Sequence, residues 1–378
     1  MPIFRSLIAK APAVAGMIPI VEDESQYAKD HVHKWLEYKK SQTTWTVNAQ
    51  SNTASTALVL VSTVGVKAGD ILQFEKPSGA STSVKAKVSS VTNATTLVIE
   101  RLGTDENILN ASIATLVARP KAEGSDQDLS TNVEPTKKQN YTQIFRRDFT
   151  LSRSTLQTAF HGLSTEADQD KKVMSLVDFQ TSNQLANILF EYNNSLINGF
   201  PEQRVDGGDN GTFRGMISFL QLQAASQLDA GAVAITPTIL NNAVEQAVSN
   251  GANGNDLTRI ICNSNQARKM SAFNTTGNNP VIIRGDVTAG SYVARFQSDL
   301  AGTNGGALVE IVVDRNFPKD MIVITNPNSH KAVPMQPFFI EETTLRKVDG
   351  RTFKILGELT YEFHNPADES ILIHNLTV

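Results

Sequence analysis

One cysteine, Cys262, stands in 378 residues. That excludes an internal disulfide framework, and no Cys/His cluster carries the spacing of a zinc site. Histidine is almost as scarce, with six residues thinly spread. Only His31 and His33 fall two apart, a spacing that turns both to one side of a strand. This is a weak metal signature beside the simpler alternative of two solvated rings. Basic charge is lacking too: the formal charge is −4 at pH 7, whereas a dedicated nucleic-acid binder carries a basic domain. Charged residues make up 19% and hydrophobic ones 40%, the values of a globular chain with a somewhat low charged share.

Long apolar runs are also missing. None reaches the roughly 20 residues that span a bilayer, so no membrane partner is expected. The start, Met1-Pro2-Ile3-Phe4-Arg5 and the apolar stretch 11–21, imitates a secretion signal only loosely. Pro12 and Pro19 interrupt the stretch, and Glu22-Asp23-Glu24 follows it without a small-residue cleavage site. We read an extended arm, and Asn-x-Ser/Thr triplets such as Asn193-Asn194-Ser195 as chance matches.

No catalytic constellation can be assembled. There is no phosphate loop with its lysine, no G-x-S-x-G elbow and no H-E-x-x-H. Residues 251–256 (Gly-Ala-Asn-Gly-Asn-Asp) join a helix to a strand, the reverse of the order in a dinucleotide site. Cys262 could act as a nucleophile with His161 or His330, but it sits within an apolar strand pattern and reads as a buried structural thiol. The pairs Glu341-Glu342 and Asp368-Glu369 place neighbours on opposite strand faces or in a turn, as solvated surface does. No enzyme, catalytic residue, metal or cofactor is expected.

What the chain does contain is a change of texture along its length, enough for about two or three domains. Residues 45–116 are rich in Thr, Ser, Val and Ala. Short strands at 57–61, 70–75, 83–88 and 96–100 are separated there by turn signals at 67–70, 77–79 and 92–94. This predicts a small β-barrel or sandwich, inserted into a chain of another texture. Residues 122–140 read as a polar linker without apolar periodicity. Then come a strand-like 148–152 and a long amphipathic helix. Its start is marked by Ser164, Thr165, Glu166 and Asp168, and its face by Val173, Leu176, Val177, Leu185, Ile188, Leu189, Tyr192 and Leu196. Asn198-Gly199 and Pro201 end it. Such a spine of roughly 30 residues is about 45 Å long. Helices are expected at 212–227 and 236–249, the second opened by Thr236-Pro237. A buried strand at 258–263 leads to a third helix from Ser264. The end is β-rich, with strands at 307–313, 321–324, 337–343, 352–359, 361–364 and 370–375.

Three stretches carry a resemblance. Asn140-Tyr141-Thr142-Gln143-Ile144-Phe145-Arg146, the polar spine helix, and Ile355-Leu356-Gly357-Glu358-Leu359-Thr360-Tyr361-Glu362-Phe363-His364-Asn365 together resemble major capsid proteins of tailed bacteriophages (Caudoviricetes). Val313-Asp314-Arg315-Asn316-Phe317-Pro318 and Arg214-Gly215-Met216 fit the same pattern. The similarity covers most of 140–378, and the run from Asn140 is its most specific part.

The resemblance implies an α+β chain with the Hong Kong 97-type capsid fold and an inserted small all-β domain. The N-terminal arm would be 1–34. An extended loop, 35–140, would carry the β module at about 45–116. The peripheral domain would comprise 141–199 with the spine helix and the terminal strands 335–378, and the axial domain 200–334. It implies self-assembly as hexamers and pentamers into an icosahedral head around double-stranded DNA. Portal, scaffolding and decoration proteins would be partners, assembly would take place in the host bacterial cytoplasm, and the virion would be the final location. An encapsulin-like compartment shell is the alternative with the same fold, and a hydrolase with a β module a third. Arm and loop are expected to find their apolar contacts on neighbouring copies, each interface typically about 1,600 Å². With so short an arm, no long removable scaffolding segment is expected, and no Lys–Asn crosslinking pair is marked. Arg146, Arg147, Arg153, Glu166, Lys171 and Lys172 are the candidates for inter-subunit contact or weak, sequence-indifferent contact with the DNA backbone.

Overall fold

The computed structural model describes residues 17–18, 20–23, 27–38, 44–52, 55–75, 83–103, 107–120, 135–157, 176–204, 210–275, 295–298, 308–343 and 350–378. The chain forms two compact units, Tyr38–Pro135 and the remainder.

The smaller unit is a closed six-stranded barrel in the order Thr44–Ala49, Ala57–Leu60, Thr96–Leu102, Lys85–Val91, Ile71–Phe74 and Ile113–Ala118. Every pairing is antiparallel. Strict alternation sends Trp45, Val47, Leu58, Leu60, Leu72, Phe74, Val88, Leu97 and Ile99 inward, as a period of two requires. The turns carry the expected chemistry. Gly69 adopts φ +92°, a region open to glycine. Asp70 accepts from Lys67 N–H at 2.9 Å and pairs with Arg119 at 3.2 Å. Asn93 Oδ1 accepts from the amides of Thr95 and Thr96.

The larger unit is mixed α/β. Its first sheet orders Glu22–Asp23, His330–Thr343, Gly350–Phe363 and Gln143–Ser152. The spine helix, described over Leu176–Asn198, lies on one face. Leu185, Ile188, Leu189, Tyr192 and Leu196 are buried as their spacing predicts, against Phe145, Phe213, Phe338 and Ile355. The helix start around Ser164 and Val173 lies outside the described residues. Its end differs from a glycine C-cap. Gly199 lacks positive φ, and its glycine is needed for close approach: a Cβ would stand 2.5 Å from Phe213 O. Gly215 lies just as near, and its N–H donates to Gly199 O at 2.9 Å.

The second sheet orders Gln227–Val233, Ser370–Leu376, Ile322–Thr325, Arg259–Cys262, Leu308–Val313 and Arg295–Gln297. The helices Pro237–Ser249 and Ser264–Ser271 contribute Leu240, Val244, Ala267 and Met270 to its core. Thr236 caps the first through Ile239 N–H at 3.3 Å.

Four expectations are corrected. The helix expected over 212–227 is confined to Met216–Gln221, with a 3-10 turn at Ala224–Ser226, and Gln227 instead opens a parallel strand. The polar linker ends in a strand, Thr136–Tyr141, because Val32–Glu37 pairs with it across about a hundred residues. The strands at 352–359 and 361–364 are one continuous strand, Gly350–Phe363. Within the arm's described part, Met17, Ile18 and Ile20 are buried in the subunit's own main core instead of being left to a neighbour, while Tyr27 stays 55% exposed.

Candidate functional site: the root of the two-stranded arm

Val32–Glu37 and Thr136–Tyr141 form an antiparallel pair whose inward face lies on the strand Gly350–Phe363. Along that strand Ile355, Leu359, Tyr361 and Phe363 enter the main core. Glu358, Thr360 and Glu362 alternate with them and face the pair. Glu362 receives His33 Nε2 on one carboxylate oxygen and His364 Nε2 on the other, at 2.7 Å for His364. Burial works against ionisation of Glu362, but these two hydrogen bonds outweigh it and bring the carboxyl down to about 2. Thr360 donates to Tyr141 O at 2.7 Å. Glu358 accepts from Thr142 Oγ1 at 2.6 Å and lies 3.3 Å from His31 Nδ1 and 3.6 Å from Arg204 Nη1.

Asn140 completes the lock. Its Nδ2 donates to Tyr361 O at 2.7 Å and Arg214 O at 3.1 Å. Its Oδ1 accepts from Arg214 N–H at 2.8 Å and Tyr141 N–H at 2.9 Å. Trp35 fills the apolar remainder, edge-on to Phe219 and donating to Glu37 at 3.0 Å. His31 and His33 thus point the same way, as their spacing implied, but toward carboxylates that bind them as hydrogen-bond partners. Among the described residues no His/Cys/Asp/Glu group is arranged to hold a metal.

The specific run continues into the core. Gln143 donates to Ser195 Oγ on the spine at 3.3 Å. Phe145 is fully buried, its ring 5.4 Å from Tyr192 and 6.2 Å from both Phe213 and Phe338. Arg146 and Arg147 then turn to opposite faces. Arg146 is held by Asp148 at 2.9 and 3.0 Å, which keeps the Asp148 carboxyl below its ordinary value. Arg147 pairs with Glu191 of the spine at 3.0 Å. Arg153 opens the short helix Arg153–Gln157 and is exposed. Glu166, Lys171 and Lys172 lie outside the described residues, as does His161.

The thiol and imidazole considered as a nucleophile pair are both buried, and the imidazole has other partners. Burial pushes the Cys262 thiol up to about 12. His330 is engaged at both nitrogens, by Thr325 Oγ1 and Tyr361 Oη at 2.6 Å each. Burial, with a smaller contribution from His364, brings its pKa down to about 3. Glu342 of the first acidic pair is bound by Arg351 at 2.7 Å, and Glu369 of the second by Asn326 at 2.9 Å. Sequence reasoning passed over Asn140, Arg204, Glu358, Glu362 and His364 as lock residues. The signal available for them was that His31/His33, two apart, and Glu358/Glu362, four apart, each fall on one face of a strand.

A family model described as SU10 major capsid protein matches residues 16–377. A comparison with curated protein sequences returns no match. Similar solved structures include a chain of Mycobacterium phage Adephagia, 8% identical with a TM-score of 0.47, covering 97% of this chain and 92% of that one. The capsid of a native GTA particle is 11% identical with a TM-score of 0.45, over 68% of this chain and 82% of that one. The holo-SrpI encapsulin complex from Synechococcus elongatus PCC 7942 is 9% identical with a TM-score of 0.42, over 66% and 80%. Because the family model spans 16–377 of the 378 residues, the chain belongs to the SU10 major capsid protein family and is a phage major capsid protein.

Proposed function

We propose that this subunit assembles through hexamers and pentamers into an icosahedral head that encloses double-stranded DNA, and that its fold is of the Hong Kong 97 type. In this reading 1–34 is the arm, 35–140 the extended loop carrying the β module at about 45–116, 141–199 and 335–378 the peripheral domain, and 200–334 the axial domain. The family match carries the proposal. The arm root supports it physically. Hydrogen bonds from His33, Thr142, Thr360 and Asn140 fasten a strand pair that continues into a unit with a core of its own. Tyr27, Leu36 and Ile144 of the larger unit remain 45–55% exposed, apolar surface suited to neighbouring copies.

DNA contact in this reading is non-specific, in keeping with the net charge of −4. Arg146, Arg147, Arg153, Glu166, Lys171 and Lys172 are its candidate contacts or contacts between subunits. Arg146 and Arg147 already have partners within the subunit, so each contributes little. The role is structural, in the virion, after assembly in the host cytoplasm; portal, scaffolding and decoration proteins are the expected further partners.

Negative-stain electron microscopy of the purified protein, with its sedimentation profile, tests this. Regular shells or capsomers, and heads filled with DNA in infected cells, are the expected result. Small shells loaded with protein cargo would reassign the chain to a compartment, and a compact monomer under all conditions would overturn the assembly reading.

A further inference from the structure

Beside the arm root lies a cavity of about 240 Å³. Its lining includes the cationic residues Lys137, Lys138 and Arg214 and the apolar residues Phe219 and Leu222. Among the described residues none of the three cations has an ion-pair partner, although carboxylates have captured Arg146, Arg147 and Arg351 nearby in sequence or fold. Arg214 is half-buried, and burial lowers its pKa, so its charge is carried at a desolvation cost that no carboxylate within the described residues offsets. Its guanidinium stands over the Phe219 ring at 5.4 Å, facing the cavity. Leu222, in the same lining, is 61% exposed.

We propose that this cavity is a binding site for an acidic side chain with an apolar neighbour, supplied by a second copy of this chain. This rests on the assembly reading. Charge complementarity favours that occupant, since the chain has 38 acidic against 34 basic residues and offers carboxylates on its surface. A phosphate backbone fits less well. The exposed Leu222 and the Phe219 ring in the lining give a sugar-phosphate strand nothing to pair with, whereas they suit the apolar neighbour of a carboxylate. A single carboxylate reaching Arg214 and Lys138 would make charge-assisted hydrogen bonds in a partly dry site, where they are strongest.

The test is the protein concentration at which the full chain assembles, followed by light scattering and microscopy. Arg214→Gln and Lys138→Gln are compared with Lys34→Gln, which sits on the outward face of the same strand pair. Each pocket variant is expected to raise the threshold about tenfold, the change that roughly 1.4 kcal/mol produces, while Lys34→Gln leaves it unchanged. Where Arg214→Gln lowers the melting temperature, Lys138→Gln, which shares the inward strand face with Trp35, carries the comparison. An unchanged threshold in the pocket variants overturns the proposal. So does an unchanged threshold with lost retention of double-stranded DNA, which would assign the cavity to phosphate. A wild type that never assembles removes the assembly reading itself, and this inference with it.

Discussion

Removing the Asn140 side chain should free the two-stranded arm at its root. The amide is 2% exposed and joins three backbone segments through Tyr361 O, Arg214 O, Arg214 N–H and Tyr141 N–H. Alanine leaves two N–H groups and two carbonyls without this partner, each worth roughly 1–3 kcal/mol. The Tyr141 amide is sequence-adjacent, and water in the neighbouring cavity relieves part of the rest, so the expected loss is about 2–4 kcal/mol rather than the sum. Asn140→Asp sharpens the test, because it preserves shape and both accepted bonds but turns an oxygen toward the two carbonyls. It should cost at least as much as alanine. Urea denaturation measures the loss, and amide hydrogen exchange locates it. Faster exchange is expected in Val32–Glu37 and Thr136–Tyr141, with barrel strands such as Thr96–Leu102 unaffected. An alanine variant within about 0.5 kcal/mol of wild type, with unaltered exchange, would refute the reasoning.

Other perturbations follow from the same geometry. Gly357→Ala puts a Cβ 2.4 Å from Phe338 Cδ1; that ring is wedged against Phe145 and Tyr192, so a loss of about 1–3 kcal/mol is expected in thermal melts, partly rescued by Phe338→Leu. The Glu362 carboxyl, ordinarily near 4.5, lies near 2 in the fold. The stabilisation it gives is therefore complete above pH 4.5 and lost as pH falls from there toward 2; it amounts to no more than about 3 kcal/mol. Glu362→Gln should flatten that limb of the stability–pH curve, and parallel curves for the two proteins would exclude it. Cys262, buried and held protonated up to about 12, should resist thiol reagents at pH 8 until the protein unfolds, and Cys262→Ala should assemble normally. Replacing residues 38–135 by an Asn-Gly turn should leave the larger unit folded, because Glu37 and Thr136 are already cross-strand partners and a two-residue loop closes such a pair. Loss of the native circular-dichroism spectrum of that unit would contradict this.

Much of the architecture was legible because burial in these sheets is one-sided. The strands Ala57–Leu60, Ile71–Phe74 and Thr96–Leu102 alternate cleanly and were placed within a residue or two. The spine face was readable from its spacing alone. The misses share a cause: their partners are remote or their backbone is irregular. Thr136–Tyr141 is polar because only one of its faces meets protein. Gln227–Val233 contains Gly231 and Ala232 at positive φ and a register shift, so it shows no strand period. His330–Thr343 was recognised only from Pro337, since Pro334 and Pro337 mark bulges in its register against Gly350–Phe363, and proline argues against a strand when the bulge cannot be seen.

The candidate site was less legible, for a reason contained in one strand. Residues 358–363, Glu-Leu-Thr-Tyr-Glu-Phe, alternate polar with apolar, which ordinarily means one face in the core and one in water. Here both faces are covered: Thr360 is 0% and Glu362 6% exposed. Alternation reveals the strand and its register but not whether the polar face is solvated. What distinguishes the two cases is chemistry matched at the same period elsewhere in the chain, two histidines spaced by two opposite two glutamates spaced by four. Two of the three stretches that carry the family resemblance are accordingly one piece of structure, with Gln143 opposite Leu359, Ile144 opposite Glu358 and Phe145 opposite Gly357. Glycine at 357 admits the Phe338 ring beside Phe145, glutamates at 358 and 362 receive the arm's histidines, and Asn140 ties the strand pair to the turn before Met216. A run that looks like an arbitrary signature thus supplies the residues that seat a polar strand pair over a hydrophobic core with its buried carboxylates and the Asn140 amide hydrogen-bonded.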